Sequence, residues 1–293
     1  MHLPELDQIG AGVEVALTRF VDDSRASSRA EGTIAFWPYL KVAEGEWLHT
    51  PSRIASERSF THNGDLPNDL DDSAHAALYF AHTPSELGNN FIKGYIETLT
   101  RLIDPVSGGF LTWVDAFPGV DCVVNQNILT SLLAIAKHFP EEEPAINALK
   151  ETAERYLGSV LQSGEVPECE VYYGRGSQFL VAYAKYVTLG GRLPEQDEAL
   201  ILELLNEAIA SSSAKSLIEL AELLISCQSF GSEAEMCQRH QSDMDETVKR
   251  RLPVFFATKD PWAEEGDLFV GNFGDGPVGW YSKAQTATLG DFR

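Results

Sequence analysis

The sequence predicts an all-α fold, on three observations. Apolar residues recur at spacings of three and four along most of the chain, while two-residue alternation with β-branched enrichment is nearly absent. Two kinds of helix alternate: some carry one apolar stripe opposite a charged face, others are apolar or small around most of their circumference. The second kind recurs about every 50 residues, as expected for a repeated helical hairpin. A ring of about six such hairpins, apolar helices inside, is an α/α toroid. Residues 1–293 are read as one such domain.

In chain order, a long connection (23–69) carries Trp37, Tyr39, Trp47 and the run DLPNDLDDSA. It enters an inner helix over 72–83 (DSAHAALYFAHT), and an outer helix over 91–103 follows, with Phe91, Ile92, Tyr95, Ile96, Leu99 and Leu102 on its stripe. A second loop, 104–121, contains SGGFLTWVD and leads through VDCVVNQN into the inner helix 123–137. The outer helix 145–161 follows, with Ile146, Leu149, Tyr156, Leu157 and Val160 on its stripe. A third loop, 162–176, ends in ECEVYYGRGS before the inner helix 177–189, the outer helix 197–210 and the inner helix 216–227. The last connection, 253–280, holds the glycine-rich GDLFVGNFGDGPVGWYS, read as a lid-like loop, with a further inner helix beginning near 281.

Inner helices of such a ring run the same way, so the long connections entering them gather at one end. Loops longer than about 12–15 residues in a domain are usually functional. The inner helices' N-termini also lie there, and their dipoles stabilise carboxylates and bound anions. The site is therefore expected on that rim.

Asp and Glu outnumber Lys and Arg by 44 to 22, for a net charge of −22, which disfavours nucleic acid and anionic membrane surfaces as partners. The opening MHLPELDQIGAG does not read as a secretory signal, and no stretch approaches the roughly 20 apolar residues of a membrane span. A cytoplasmic location follows as the expectation. Cys122, Cys169, Cys227 and Cys237 contain no CxxC pair, and three fall in or beside apolar helical patterns, so neither a disulfide framework nor a structural zinc is expected. Dinucleotide, P-loop and GxSxG signatures are missing from the sequence.

Asp69, Asp71 and Asp72 stand where the first long loop becomes an apolar helix. One of them can cap that helix. Three carboxylates within four residues also repel one another, and in a partly buried pocket that keeps one protonated near neutrality, able to act as an acid. Asp121, Asn125 and Asn127 open the second inner helix; buried amides there must either satisfy loop backbone or face a polar pocket. Tyr172, Tyr173 and Arg175 precede the third inner helix, where the arginine suits a diphosphate or carboxylate and the rings suit a cation. Trp37, Trp113, Trp280 and Tyr281 either line the pocket or pin loops to the barrel. His75, His82 and His138 form no metal-binding spacing.

The string Asp69-Leu70-Asp71-Asp72-Ser73-Ala74 resembles the DxDD(T/S)A motif of class II terpene cyclases, the squalene-hopene cyclase and diterpene cyclase superfamily. The stretch from Asp104 through Gly108, Gly109 and Phe110 to Trp113 is similar to the glycine-aromatic turn of the prenyltransferase and squalene-cyclase repeats. The resemblance implies an isoprenoid substrate and protonation-initiated cyclisation, with Asp71 the acid and Asp69 and Asp72 tuning it. No cofactor is implied, save Mg²⁺ if the substrate is a diphosphate. At 293 residues the chain accommodates one barrel, so a second would have to come from another subunit or be absent. An inverting glycoside hydrolase-like toroid is the alternative, pairing Asp71 or Asp72 with Asp115, Asp121 or Glu170. A non-catalytic toroid binding a lipid or protein is the third reading.

Overall fold

The computed structural model describes residues 32–35, 40–43, 46–48, 68–83, 85–114, 119–169, 176–211, 217–230, 235–257, 268–273 and 276–281. Four short strands come first: β1 (Ile34–Ala35), β2 (Leu40–Ala43), β3 (Glu46–Leu48) and β4 (Asn68–Asp69). The helices follow as α1 (Leu70–His82), α2 (Glu86–Arg101), α3 (Cys122–His138), α4 (Glu143–Ser163), the short α5 (Val166–Cys169), α6 (Gly176–Thr188), α7 (Glu195–Ala210), α8 (Leu217–Phe230) and α9 (Glu235–Ala257). A hairpin of β5 (Leu268–Phe273) and β6 (Gly276–Tyr281) comes last. The fold is predominantly helical, as the periodicity predicts.

Helices α1, α3, α6 and α8 pack side by side in succession and form the inner layer, while α2, α4, α7 and α9 back them as the outer layer. Each inner helix packs on the outer helix that follows it. Inner helices are parallel, as contacts at both ends require. At the N-terminal end, Asn127 of α3 reaches Asp71 of α1, and Glu222 of α8 accepts from Ser177 of α6. At the other end, the rings of His82 and His138 lie 5.6 Å apart, Lys137 of α3 donates to the Leu189 carbonyl, and Thr188 of α6 meets Ser229 of α8 at 3.0 Å.

Caps explain where helices begin and end. Ser85 accepts from the Gly88 N–H at 3.0 Å and starts α2 ahead of its expected apolar stripe. Gly164, at φ 74°, ends α4 in the left-handed conformation that suits glycine. Between the layers, Phe80 and Phe91 pack at 5.5 Å, Phe91 stacks on Tyr95 at 6.4 Å, and the Tyr95 hydroxyl meets Ser131 of α3 at 3.1 Å. Among the described residues no helix is long and apolar enough to cross a membrane.

The described residues make four helical hairpins. Other expectations are corrected. The glycine-rich stretch expected to be a loop is the β5–β6 hairpin, and Tyr281 ends a strand instead of starting an inner helix. Glycine-broken apolar pairs there give the backbone a tight reversal that a helical period does not. Disulfides join Cys122 to Cys169 and Cys227 to Cys237, against the sequence expectation. The cysteines are buried as small hydrophobes, but hairpin folding brings their Cα atoms to 5.4 and 5.3 Å across separations of 47 and 10 residues, which no local motif reveals.

Candidate active site

The chain enters α1 through a fixed junction. β4 pairs antiparallel with β1, setting Asp69 opposite Ile34, and an isolated bridge joins Asp69 to Trp113. Asp69 is the N-cap of α1: at φ −106° and ψ 129° its carboxylate accepts the Asp71 N–H at 2.8 Å. Ser73 ties the junction together, donating to the Asp69 carbonyl and accepting the Ile34 N–H at 2.9 Å.

Asp71 and Asp72 follow in the first helical turn. Asp71 is 7% exposed, and its Oδ1 accepts from Asn127 Nδ2 at 2.7 Å, so α3 holds this carboxylate in place. Asp72 is half-buried. Loss of water raises its carboxyl to about 8, with the Asp71 charge adding to the effect. Asp69, 4% exposed, is likewise pushed well above the ordinary carboxylate range by burial, then by Asp72 and Asp71, against the opposing pull of the Asp71 N–H. This crowded, dry cluster retains protons at neutral pH.

The less-buried stripes of the inner helices add further charged groups. His75 lies one turn beyond Asp72; it remains open to solvent, yet the surrounding helices remove enough water to disfavour its imidazolium, with Lys185 adding to this and Asp71 opposing it. Lys185, from α6, loses ammonium stability through burial and regains part of it from Asp71 and Glu222. Glu222, buried on α8, accepts from Ser177 Oγ at 2.6 Å and from Gln178 Nε2. Sequence reading missed Lys185, Glu222 and Gln178 and passed over His75 as a core histidine. The available signal was ionisable residues inside otherwise apolar helices, Lys185 in SQFLVAYAKYVTL and Glu222 in SLIELAELLISC.

The other expected site residues divide. Asp121 caps α3, its Oδ1 accepting from Val123 N at 2.7 Å and Val124 N at 3.2 Å. Asn125 clamps the glycine-aromatic loop, accepting from Phe110 N at 2.7 Å and donating to the Phe110 and Asp121 carbonyls. Both build the rim. Trp113 is buried and fixes the loop by its bridge to Asp69. Asn127 belongs to the acidic cluster, and its Oδ1 has no hydrogen-bond partner; neither amide atom of the fully buried Gln126 beside it has one either. Trp37, Tyr172, Tyr173 and Arg175 lie outside the described residues, as does the Tyr281 side chain. Among the described residues no group of three or more His, Cys, Asp or Glu is placed to hold a metal.

No family model matches the chain, and no curated protein or solved structure matches it.

Proposed function

We propose that this chain is a terpene-cyclase-like acid catalyst acting on an isoprenoid, with the Asp71–Asp72 pair as its proton source. The observation that carries the reading is the cluster at the start of α1: three carboxylates within four residues, two of them buried, with Asn127 donating to Asp71. The proton is placed on Asp72, whose carboxyl is pushed up to about 8 by burial and by the Asp71 charge. In the proposed step the Asp72 O–H bond breaks and a C–H bond forms at the substrate's terminal alkene, or an O–H bond at its epoxide. Ring-closing π electrons then form a C–C bond to the cationic carbon and pass the positive charge to a new carbon, and loss of a proton from that last cation to the Asp72 carboxylate gives the neutral product and restores the acid. Asp71 holds the neighbouring charge and Asp69 fixes the turn.

The test is product profiling with polyprenyl diphosphates and epoxides for the wild type, Asp71→Asn and Asp72→Asn. Both variants should lose turnover by at least about 100-fold while keeping wild-type helical circular dichroism. Wild-type activity in Asp72→Asn overturns the assignment.

A second reading rests on the polar groups next to this cluster. Lys185, His75 and Glu222 suit a hydroxyl-rich substrate, as in an inverting glycoside hydrolase with Asp72 as acid and Glu222 as base. Inversion at the anomeric carbon, followed by proton NMR on oligosaccharides and abolished in Glu222→Gln, supports this reading over the first.

A further inference from the structure

Away from the acidic cluster, an open pocket of about 410 Å³ lies between the glycine-aromatic loop, the end of α4 and α5. Leu111, Val120 and Val160 give it apolar walls, Tyr156 lines it, and Asp104 and Glu165 supply carboxylates. None of its described lining residues is Lys, Arg or His.

The loop's glycines shape this pocket. A Cβ on Gly109 would sit 2.6 Å from Val120 Cγ1 and 2.9 Å from Tyr156 Cγ, so only glycine lets the loop lie this close to the tyrosine ring. Asp104 holds the turn by accepting from the Ser107 N–H and hydroxyl, both at 2.7 Å. Those bonds hold its carboxyl below the usual range, so its charge is present at neutral pH. Tyr156 is 9% exposed, and among the described residues its hydroxyl makes no hydrogen bond. Burial raises that hydroxyl strongly, and the charges of Asp121, Asp104 and Glu165 add to it, so the space around it is negative.

A nine-tenths-buried tyrosine that shares its pocket with two carboxylates and the apolar Leu111, Val120 and Val160 calls for a ligand with a positive head and a short alkyl body. The volume falls in the usual range of small-molecule sites, about 300–1,000 Å³. A hard metal ion fits poorly, because it requires about six oxygen ligands and Leu111, Val120 and Val160 wall much of this pocket. We propose that this pocket binds a small organic cation, an alkyl ammonium or guanidinium. Its charged head lies between Glu165 and Asp104, against the face of Tyr156, with its alkyl chain on Leu111, Val120 and Val160. The proposal is independent of the acid chemistry at Asp72.

The test is isothermal titration calorimetry on the full chain at low salt, with agmatine as the probe and 1-pentanol and calcium chloride as controls. Agmatine should saturate one site with a dissociation constant below about 1 mM, and the controls should give no comparable site. Glu165→Gln should weaken agmatine at least about tenfold with an unchanged thermal melt, since Glu165 is exposed and among the described residues its side chain makes no hydrogen bond or ion pair. Tyr156→Phe should weaken it less, because the ring face remains. Failure to saturate by about 10 mM agmatine overturns the proposal, as does equal binding by 1-pentanol or calcium, or undiminished binding in Glu165→Gln.

Discussion

Asp72 is the residue whose protonation carries the functional reading, and its titration fixes the sign of a stability effect. Its carboxyl moves from an ordinary 3.8 to about 8 on folding, so between those values the folded chain binds more protons than the unfolded one. Stability from this residue is therefore present below about pH 4, declines as pH rises, and is fully lost above about pH 8. Asp72→Asn should gain stability relative to the wild type across that interval, as read from urea melts at pH 4.5 and 8; a constant difference contradicts it. Asn125 makes a separate prediction. Its amide makes three hydrogen bonds to the Phe110 and Asp121 backbone, so Asn125→Ala should cost about 3 kcal/mol in denaturant unfolding. The sequence singled out Asp71 as the acid, with Asp69 and Asp72 tuning it, and Asn127 beside them, because carboxylates and amides at the mouth of an apolar helix stand out locally; the proton is instead proposed on Asp72, whose raised carboxyl depends on burial that the sequence does not display. It did not identify Lys185 or Glu222, from α6 and α8: only once the inner helices pack does Lys185 feel the charges of Asp71 and Glu222 together.

Among the elements, helix identity was the most legible feature, because amphipathic stripes separate α2, α4 and α7 from the apolar α1, α3, α6 and α8. Helix starts were less so: Ser85 and Asp121 set them by hydrogen bonds that periodicity does not encode. The disulfides were not legible, since both pairs form across hairpins. The Cys122–Cys169 bond ties the first residue of α3 to α5 and encloses the α3–α4 hairpin, a separation of 47 residues. Replacing Cys122 and Cys169 with serine should cost about 2–4 kcal/mol, and reduction of the wild type, which also opens Cys227–Cys237, should cost at least as much. Equal stability of oxidised and reduced chains by thermal melt contradicts this.

Over the whole molecule, a net charge of −22 makes self-repulsion a standing cost of compactness. Raising sodium chloride from about 10 to about 300 mM should therefore raise the melting temperature, because exposed charges are screened beyond a Debye length of about 6 Å at the higher salt. A falling melting temperature contradicts that expectation. Layering also gives the acidic cluster its setting: parallel inner helices bring Asn127 to Asp71 and bring Lys185 within range of its charge. Against that background, burial raises the carboxyls of Asp69 and Asp72 above the ordinary carboxylate range. Carbon-13 NMR of aspartate-labelled protein, with the Asp72 carboxyl assigned through Asp72→Asn, tests this most directly. The Asp72 resonance should titrate with a midpoint near 8, and its midpoint should fall in Asp71→Asn; a midpoint near 4 in the wild type would contradict the assignment of this residue as the proton source.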